Sequence, residues 1–345
     1  MITIDGSLGE GGGQILRTAL GLSLATGKAF HIKNIRARRP KPGLGHQHLL
    51  AARSARQVGN ARVEGAALGS SELLFEPQEI VPGDYRFSLG TAGSTGLVLQ
   101  TVLPALIRAD EPSNLTLQGG THNPFAPPFD FLERTFFSLL RKMGVDLKAE
   151  LRRPGFYPRG GGEMRLKINP TKKLTAIHIK ARGHVQRISA KVHLAGLPRH
   201  IAERELKVMR RKLEIREEHT EIVVHPGHYG PGNVLIVQIE ADEITEVFTG
   251  FGTRGVRAEM VAQRTAREVQ TYLDSGAPVG PYLADQLLIP FALAAEGSFK
   301  TSALTAHAQT NIEIIRTFLE TPLSVDSASP NETILSFGEA KNFVH

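Results

Sequence analysis

The sequence predicts a mixed α/β fold made of three βαβαββ repeats, with a smaller α/β domain inserted into the third repeat. Three observations predict this fold. One order of strands and helices recurs along the chain. In each copy the first helix is almost entirely apolar and the second is amphipathic, which indicates one buried helical layer and one layer facing water. Residues 184–277 separate the predicted first strand of the third copy from its first helix.

The elements of the three repeats follow from hydrophobic periodicity and turn residues. The first repeat is predicted to have helices at 14–25 and 46–58 and strands at 2–4, 29–32, 61–64 and 72–75. The second has helices at 95–106 and 128–142 and strands at 85–89, 114–117, 145–151 and 162–168. The third has helices at 281–295 and 310–319 and strands at 174–180, 298–302, 323–326 and 332–337.

The predicted domain boundaries follow from these repeats. Residues 1–183 and 278–345 form the three-repeat domain, and residues 184–277 form the inserted α/β domain. The inserted stretch reads as helices at 198–213 and 258–273 and strands at 189–194, 221–225, 234–239 and 247–250. This is about the smallest size at which a domain folds alone.

Composition limits the chemistry. The chain of 345 residues has no cysteine, which excludes a disulfide, a thiolate nucleophile and a cysteine-built zinc site. A net charge of +7 favours polyanionic partners only mildly. No apolar run is long enough to span a bilayer, and the N-terminus lacks the pattern of a signal peptide. We therefore expect no membrane partner and a cytoplasmic location.

Two segments of the first repeat are candidates for phosphate binding. The glycine-rich turn from Gly9 to Gln14 lies between a strand and a helix, where backbone N–H groups bind anions. It matches neither the dinucleotide-binding fingerprint nor the P-loop, and by itself it is equally well a tight turn. Glu10 would repel a phosphate unless a divalent cation lay between them. The basic segment 33–41 is either a phosphate clamp or a solvated loop.

The remaining candidates lie in the second and third repeats. Gln100 on an apolar helix needs a hydrogen-bond partner, which a purine edge or a backbone carbonyl provides. The proline- and phenylalanine-rich segment 119–131 either stacks a base or starts a helix over core aromatics. His307, between a strand and a helix, is a competent nucleophile, although one histidine among 13 is usually structural. His46, His48 and His122 raise a metal site as an alternative, without the spacing of a known zinc motif.

Together these segments resemble one family, the RNA 3′-terminal phosphate cyclases, over essentially the whole chain. Each segment by itself is modest evidence for the family, but the set of segments in this order is highly specific to it. The matching segments are Gly-Glu-Gly-Gly-Gly-Gln-Ile-Leu-Arg at 9–17, Ile-Arg-Ala-Arg-Arg-Pro-Lys-Pro-Gly-Leu at 35–44, Gln-His at 47–48, Gly-Thr-Ala-Gly-Ser at 90–94, Asn-Pro-Phe-Ala-Pro-Pro at 123–128, Gly-Phe-Tyr-Pro-Arg-Gly-Gly-Gly at 155–162, Gly-Pro-Gly-Asn at 230–233, Tyr-Leu-Ala-Asp-Gln at 282–286 and His-x-x-Thr-Asn at 307–311.

The resemblance implies a fold of three repeats with an inserted domain, related distantly to the enolpyruvyl transferases. It also implies an ATP-dependent reaction at an RNA end. His307 would attack the α-phosphate of ATP and become histidinyl-AMP, and the RNA 3′-phosphate would then take the AMP. The adjacent 2′-hydroxyl would finally close a 2′,3′-cyclic phosphodiester and expel AMP. The implied partner is RNA with a 3′-terminal phosphate, and a homodimer is a further expectation.

The same resemblance assigns the remaining roles by position. The catalytic residue would be His307, Glu10 would hold Mg²⁺ or Mn²⁺, and Arg17, Arg39 and Gln47 would contact phosphates of ATP or RNA. The ATP-binding residues would be Gln100, Pro128, Tyr282, Leu283, Ala284, Asp285 and Gln286.

Two other functions remain as alternatives. A non-catalytic RNA-processing protein of the same fold would lack the histidine, so the presence of His307 favours the enzyme. An enolpyruvyl transferase would share the repeats but would leave His307 and the segment from Tyr282 to Gln286 without a role.

Overall fold

The computed structural model describes residues 1–9, 11–329 and 332–338. Within them, each repeat folds as a four-stranded sheet in which the first two strands are parallel and the others antiparallel. The sheet of the first repeat has the order β1-β2-β4-β3. Its elements are β1 (Ile2–Asp5), α1 (Gln14–Thr26), β2 (Phe30–Lys33), α2 (His46–Val58), β3 (Arg62–Glu64) and β4 (Leu73–Glu76).

The second repeat has the same strand order, β5-β6-β8-β7. Its elements are β5 (Asp84–Ser88), α3 (Thr95–Leu106), β6 (Ser113–Gly119), α4 (Phe129–Phe131), a π-helical turn (Leu132–Phe136), α5 (Phe137–Lys142), β7 (Asp146–Arg153) and β8 (Gly162–Asn169). The π-helical turn divides the single helix that the sequence predicts at 128–142.

Between the second repeat and the last helices lies the first strand of the third repeat, followed by the inserted segment. Strand β9 is only His178–Ile179, shorter than predicted. The inserted segment contains β10 (Val185–Ala195), α6 (His200–Leu213), β11 (Thr220–His225), β12 (Gly232–Ala241), β13 (Thr245–Phe251) and α7 (Ala258–Ser275). Its sheet order, β11-β10-β12-β13, differs from that of the repeats.

The inserted segment has a hydrophobic cluster of its own, formed by β10, β12, β13, α6 and α7. Other side chains of its sheet, including Val234, Ile236 and Val247, belong to the large core of the repeats. The segment is therefore packed against the three-repeat body through one part of its sheet. The exact domain boundaries stay a prediction.

The third repeat is completed by α8 (Pro281–Ala294), β14 (Gly297–Thr301), α9 (Ala306–Phe318), β15 (Leu323–Ser329) and β16 (Glu332–Phe337). Its sheet order is β15-β16-β14-β9, so the repeat closes across the insertion. Helix α9 begins four residues earlier than predicted because the Thr305 hydroxyl accepts the N–H of Ala308 and caps the helix. His307 consequently lies in the first turn of the helix.

The first helices of the repeats, α1, α3 and α8, form the buried helical layer that the sequence predicts. Helix α1 packs against α3 and against α9, which brings the beginning of the first repeat next to the end of the third. Among the described residues, no helix is long and apolar enough to cross a membrane.

Candidate active site

A cleft of about 1590 Å³ lies between the inserted segment and the three repeats. All three repeats and the inserted segment contribute to its walls. Polar, charged and ring-bearing side chains of the cleft lining include Gln14, Arg17, Thr18, Gln100, Pro128, Arg254, Arg264, Tyr282, Asp285, Gln286, His307 and Asn311.

His307 is held at the wall of this cleft by the first residue of α1. Its ring atom Nδ1 contacts Oε1 of Gln14, and Nε2 of Gln14 donates to the backbone oxygen of His307 at 3.3 Å and to Oδ1 of Asp285 at 3.0 Å. Because two oxygens accept from the amide nitrogen, the amide oxygen must face the ring. An amide oxygen can only accept, so Nδ1 of His307 is the ring nitrogen that donates in this contact.

Asp285 anchors this arrangement from α8. Its Oδ1 also accepts from Nδ2 of Asn311 at 2.6 Å, and the Thr18 hydroxyl donates to Oδ1 of Asn311 at 2.6 Å. Burial raises the pKa of Asp285, while the charge of His307 and hydrogen bonds from the amides of Gln14 and Asn311 oppose this shift. The carboxylate thus orients two amides, one of which fixes the histidine.

A cation lies beside this carboxylate. The Nε atom of Arg17 is buried, and no group among the described residues accepts a hydrogen bond from it. Burial lowers the pKa of Arg17 to about 10, opposed by Asp285, so the guanidinium remains charged at neutral pH. The neighbouring imidazole of His48 is neutral, because burial and then the charges of Arg17 and Arg36 lower its pKa to about 3. A buried, unsatisfied cation at a cleft is suited to bind an anion.

The glycine-rich turn is a site of close packing between repeats. A Cβ atom on Gly9, which has φ +52°, would lie 2.2 Å from Oγ1 of Thr310 on α9. A Cβ atom on Gly13 would lie 1.9 Å from Nε2 of His48. These contacts require glycine, so the turn connects the first repeat to the helix that carries His307.

Five of the seven predicted ATP-binding residues line the cleft, namely Asp285 and four others. Nε2 of Gln100 donates to Oε1 of Gln286, Pro128 precedes α4, and the Tyr282 side chain is 55% exposed. Leu283 and Ala284 instead have buried side chains in the core and do not line the cleft. Their assignment to the ATP site stays a prediction.

Two further predicted residues, Arg39 and Gln47, lie outside the lining of the cleft. Arg39 is exposed next to the glycine-rich turn, 3.0 Å from where a Cβ on Gly12 would stand. Oε1 of Gln47 accepts the backbone N–H of Ser94 at 2.9 Å and so joins α2 to the corresponding turn of the second repeat. Glu10 lies outside the described residues, and its role as a metal ligand stays a prediction.

Sequence reasoning gave no role to three residues that the structure makes central, Gln14, Thr18 and Asn311. Gln14 and Asn311 stand inside segments that carry the resemblance, which is the signal that could have identified them. The sequence also raised a metal site formed by His46, His48 and His122, but the structure gives His122 other neighbours. The structure groups His122 with Asp130 and His193.

Comparisons with known proteins agree with the motifs. A model of the family "RNA 3′-terminal phosphate cyclase" matches residues 8–325. A protein of that name from Koribacter versatilis is 51% identical over 92% of this chain and 90% of its own length. Others from Pseudomonas fluorescens and Ectopseudomonas mendocina are 48% and 46% identical, each over 97% of this chain and 96% of the relative.

Two solved structures are similar at a lower level. The enolpyruvyl transferase NikO from Streptomyces tendae is 10% identical over 94% of this chain and 46% of its own, with a TM-score of 0.38. EPSP synthase from Acinetobacter baumannii is 14% identical over 98% of this chain and 64% of its own, with a TM-score of 0.37. The family match and the near-complete coverage of the relatives establish that the chain belongs to the RNA 3′-terminal phosphate cyclase family.

Proposed function

We propose that this chain uses ATP to convert an RNA 3′-terminal phosphate into a 2′,3′-cyclic phosphodiester, with release of AMP and pyrophosphate. The observation that carries the proposal is the contact of His307 Nδ1 with Gln14, whose amide is oriented by Asp285. This contact leaves the lone pair on Nε2, the nitrogen that must act as the nucleophile.

In the first step, Nε2 of His307 attacks the α-phosphorus of ATP. A P–N bond forms, and pyrophosphate leaves with the electrons of the broken P–O bond. The product is histidinyl-AMP. As the ring becomes positively charged, the proton on Nδ1 remains in its hydrogen bond to Gln14, and Asp285 stabilises the new charge through the amide.

In the second step, an oxygen of the RNA 3′-phosphate attacks the same phosphorus and the imidazole leaves, which gives RNA(3′)pp(5′)A. In the third, the adjacent 2′-hydroxyl attacks the phosphorus of the RNA phosphate. AMP leaves and the hydroxyl loses its proton. The hydroxyl is already positioned next to the phosphorus, so ring closure costs little entropy.

The cleft offers groups for the charges of these steps. Arg17 presents a buried cation with an unsatisfied N–H, which suits a phosphate oxygen. Arg39 and Gln47 are proposed as further phosphate contacts at the exposed edge of the glycine-rich turn. A divalent cation, proposed to be Mg²⁺ or Mn²⁺ bound by Glu10, would neutralise phosphate charge there.

The adenine base is proposed to bind at the other side of His307. The Tyr282 ring and Pro128 provide flat apolar surfaces, and the amide pair of Gln100 and Gln286 provides donors and acceptors for a purine edge. RNA with a 3′-phosphate is the proposed partner. The homodimer and the cytoplasmic location stay predictions.

The test is covalent labelling with ATP alone. Wild-type protein and His307→Ala are incubated with α-labelled ATP and Mg²⁺ without RNA, and the protein is assayed for an acid-labile, base-stable adduct. We expect label on the wild type and none on the variant. His184→Ala, which changes an exposed histidine outside the cleft, is the matched control and should label like wild type. An unlabelled wild type, or equal labelling of His307→Ala, contradicts the mechanism.

A further inference from the structure

A second cluster of metal-binding side chains lies where the inserted segment meets the second repeat. His122 lies in the loop between β6 and α4, Asp130 lies on α4, and His193 lies on β10. His122 is 1% exposed and His193 is 6% exposed. None of the three has a role in the reaction proposed above.

The three side chains are spaced as ligands of one ion. Nε2 of His122 lies 2.9 Å from Oδ2 of Asp130, and Nε2 of His193 lies 3.5 Å from Oδ1 of the same carboxylate. All the ligand atoms lie within 4.8 Å of one another. Atoms bound to tetrahedral Zn²⁺ at 2.0–2.1 Å are separated by roughly 3.3 Å, which falls between the two observed distances.

The second nitrogen of each histidine is already engaged, as in known metal sites. Nδ1 of His122 lies 2.9 Å from the Thr121 hydroxyl, which also accepts the backbone N–H of Gly155. Nδ1 of His193 lies 2.9 Å from Nε2 of His225, and the two rings are nearly parallel, with an interplanar angle of 7°. These contacts direct both Nε2 atoms towards Asp130.

One of these Nε2 atoms lacks a hydrogen bond within the part of the chain that the structure describes. It is the buried Nε2 of His193, which lies 3.5 Å from the carboxylate of Asp130 without a hydrogen bond to it. A buried polar atom without a partner carries a free-energy cost, and a metal ion would remove it.

We propose that His122, Asp130 and His193 bind one transition-metal ion, Zn²⁺ by preference, at the junction of the inserted segment and the second repeat. Two imidazoles and one carboxylate are a donor set that favours Zn²⁺ over Mg²⁺. A water molecule would complete a tetrahedron. Binding displaces the proton that His122 shares with Asp130, and the ion joins two parts of the chain that are 63 positions apart at Asp130 and His193.

The experiment measures metal binding without ATP or RNA. The protein is treated with a chelator, dialysed and titrated with Co²⁺, whose visible absorption reports a site of low coordination number, and Zn²⁺ is then added in competition. We expect one Co²⁺ per chain, displaced by Zn²⁺, and a rise in Tm on the order of 5 °C with excess Zn²⁺. Asp130→Asn and His193→Gln should each lose at least about tenfold in Co²⁺ affinity.

The matched control is His31→Gln, because His31 and Glu72 form an exposed imidazole–carboxylate pair at 3.1 Å without a third ligand. This variant should bind Co²⁺ like wild type. Circular dichroism of each variant establishes that it is folded. The absence of a Co²⁺ site in the folded wild type, or equal binding by folded Asp130→Asn and His193→Gln, would show that the cluster is a hydrogen-bond network only. Labelling of His307 by ATP is a separate measurement, so either proposal can fail alone.

Discussion

At the scale of single residues, the site depends on amides that position charged groups. Gln14 is the connection between Asp285 and His307, since its nitrogen donates to the carboxylate and its oxygen faces the imidazole. An amide is suited to this task because its two ends have opposite hydrogen-bonding character. The nitrogen proposed as the nucleophile, Nε2 of His307, is therefore selected by the tautomer that Gln14 favours rather than by a general base.

Replacement of Gln14 by leucine tests this arrangement. Leucine is similar in size but cannot fix the tautomer or the position of the ring, and misplacement of a reacting group costs on the order of 100-fold in rate. We expect Gln14→Leu to slow formation of the protein–AMP adduct by about that factor while ATP binding changes little. Rapid-quench labelling and equilibrium ATP binding measure the two quantities. An unchanged adduct rate would exclude the positioning role.

Replacement of Arg17 is a complementary test, because it should weaken the binding of ATP. Arg17→Met removes a cation whose buried Nε has no hydrogen-bond acceptor among the described residues. A hydrogen bond to a charged group contributes about 1.5–3 kcal/mol, so the dissociation constant of ATP should rise about 10- to 100-fold. The pKa of His48, lowered to about 3 by burial and then by Arg17 and Arg36, should also rise. Calorimetry measures the dissociation constant of ATP, and an NMR titration measures the pKa of His48. Arg17→Lys should recover part of the affinity for ATP.

At the scale of elements, helix α8 is joined to the inserted sheet through a buried carboxyl. Glu246 on β13 accepts the backbone N–H of Gly280, which immediately precedes α8. Burial raises the pKa of Glu246 to about 8. A carboxyl with a raised pKa contributes stability in full below its ordinary pKa, and this contribution is lost as the pH rises towards 8.

We therefore expect the free energy of unfolding to decrease by up to a few kcal/mol between about pH 4.5 and pH 8 through this group. Glu246→Gln cannot ionise, so it should remove that part of the pH dependence. Urea unfolding at pH 5, 7 and 9 measures the free energy of unfolding and its dependence on pH. The matched change, Glu243→Gln at an exposed position, should retain the dependence of wild type. Identical pH profiles for wild type and Glu246→Gln would contradict the assignment.

At the scale of the whole molecule, the inserted segment forms one wall of the cleft. Arg254, in the loop after β13, and Arg264, on α7, are exposed and line the cleft opposite the three repeats. RNA reaches His307 only if it enters the cleft, and phosphate contacts by arginine contribute much of the affinity of such complexes. This placement suggests that the insertion helps to bind RNA.

Replacement of both Arg254 and Arg264 by alanine should weaken binding of 3′-phosphorylated RNA. The slope of the logarithm of the binding constant against the logarithm of the salt concentration should become shallower by about two, because about two phosphate contacts are lost. Labelling of His307 by ATP alone should be retained. Binding is measured by fluorescence anisotropy between 50 and 200 mM salt. Arg211→Ala, at an exposed position of α6 outside the cleft, is the control. Equal salt dependence in wild type and the double variant would exclude these arginines from the RNA contact.

The sequence by itself determined the repeats, the insertion and the family, because periodicity and ordered motifs are local properties of the chain. It also named His307, Asp285 and Arg17 as candidate site residues, and the structure brings these three to one cleft. It did not identify Gln14, Thr18 and Asn311 as one network, nor the grouping of His122, Asp130 and His193. Those groupings are decided by the packing of α1 against α9 and of β10 beside α4, which places residues far apart in sequence within hydrogen-bonding distance. Only tertiary structure can fix such distances, because neither hydrophobic pattern nor turn chemistry encodes which distant side chains will meet.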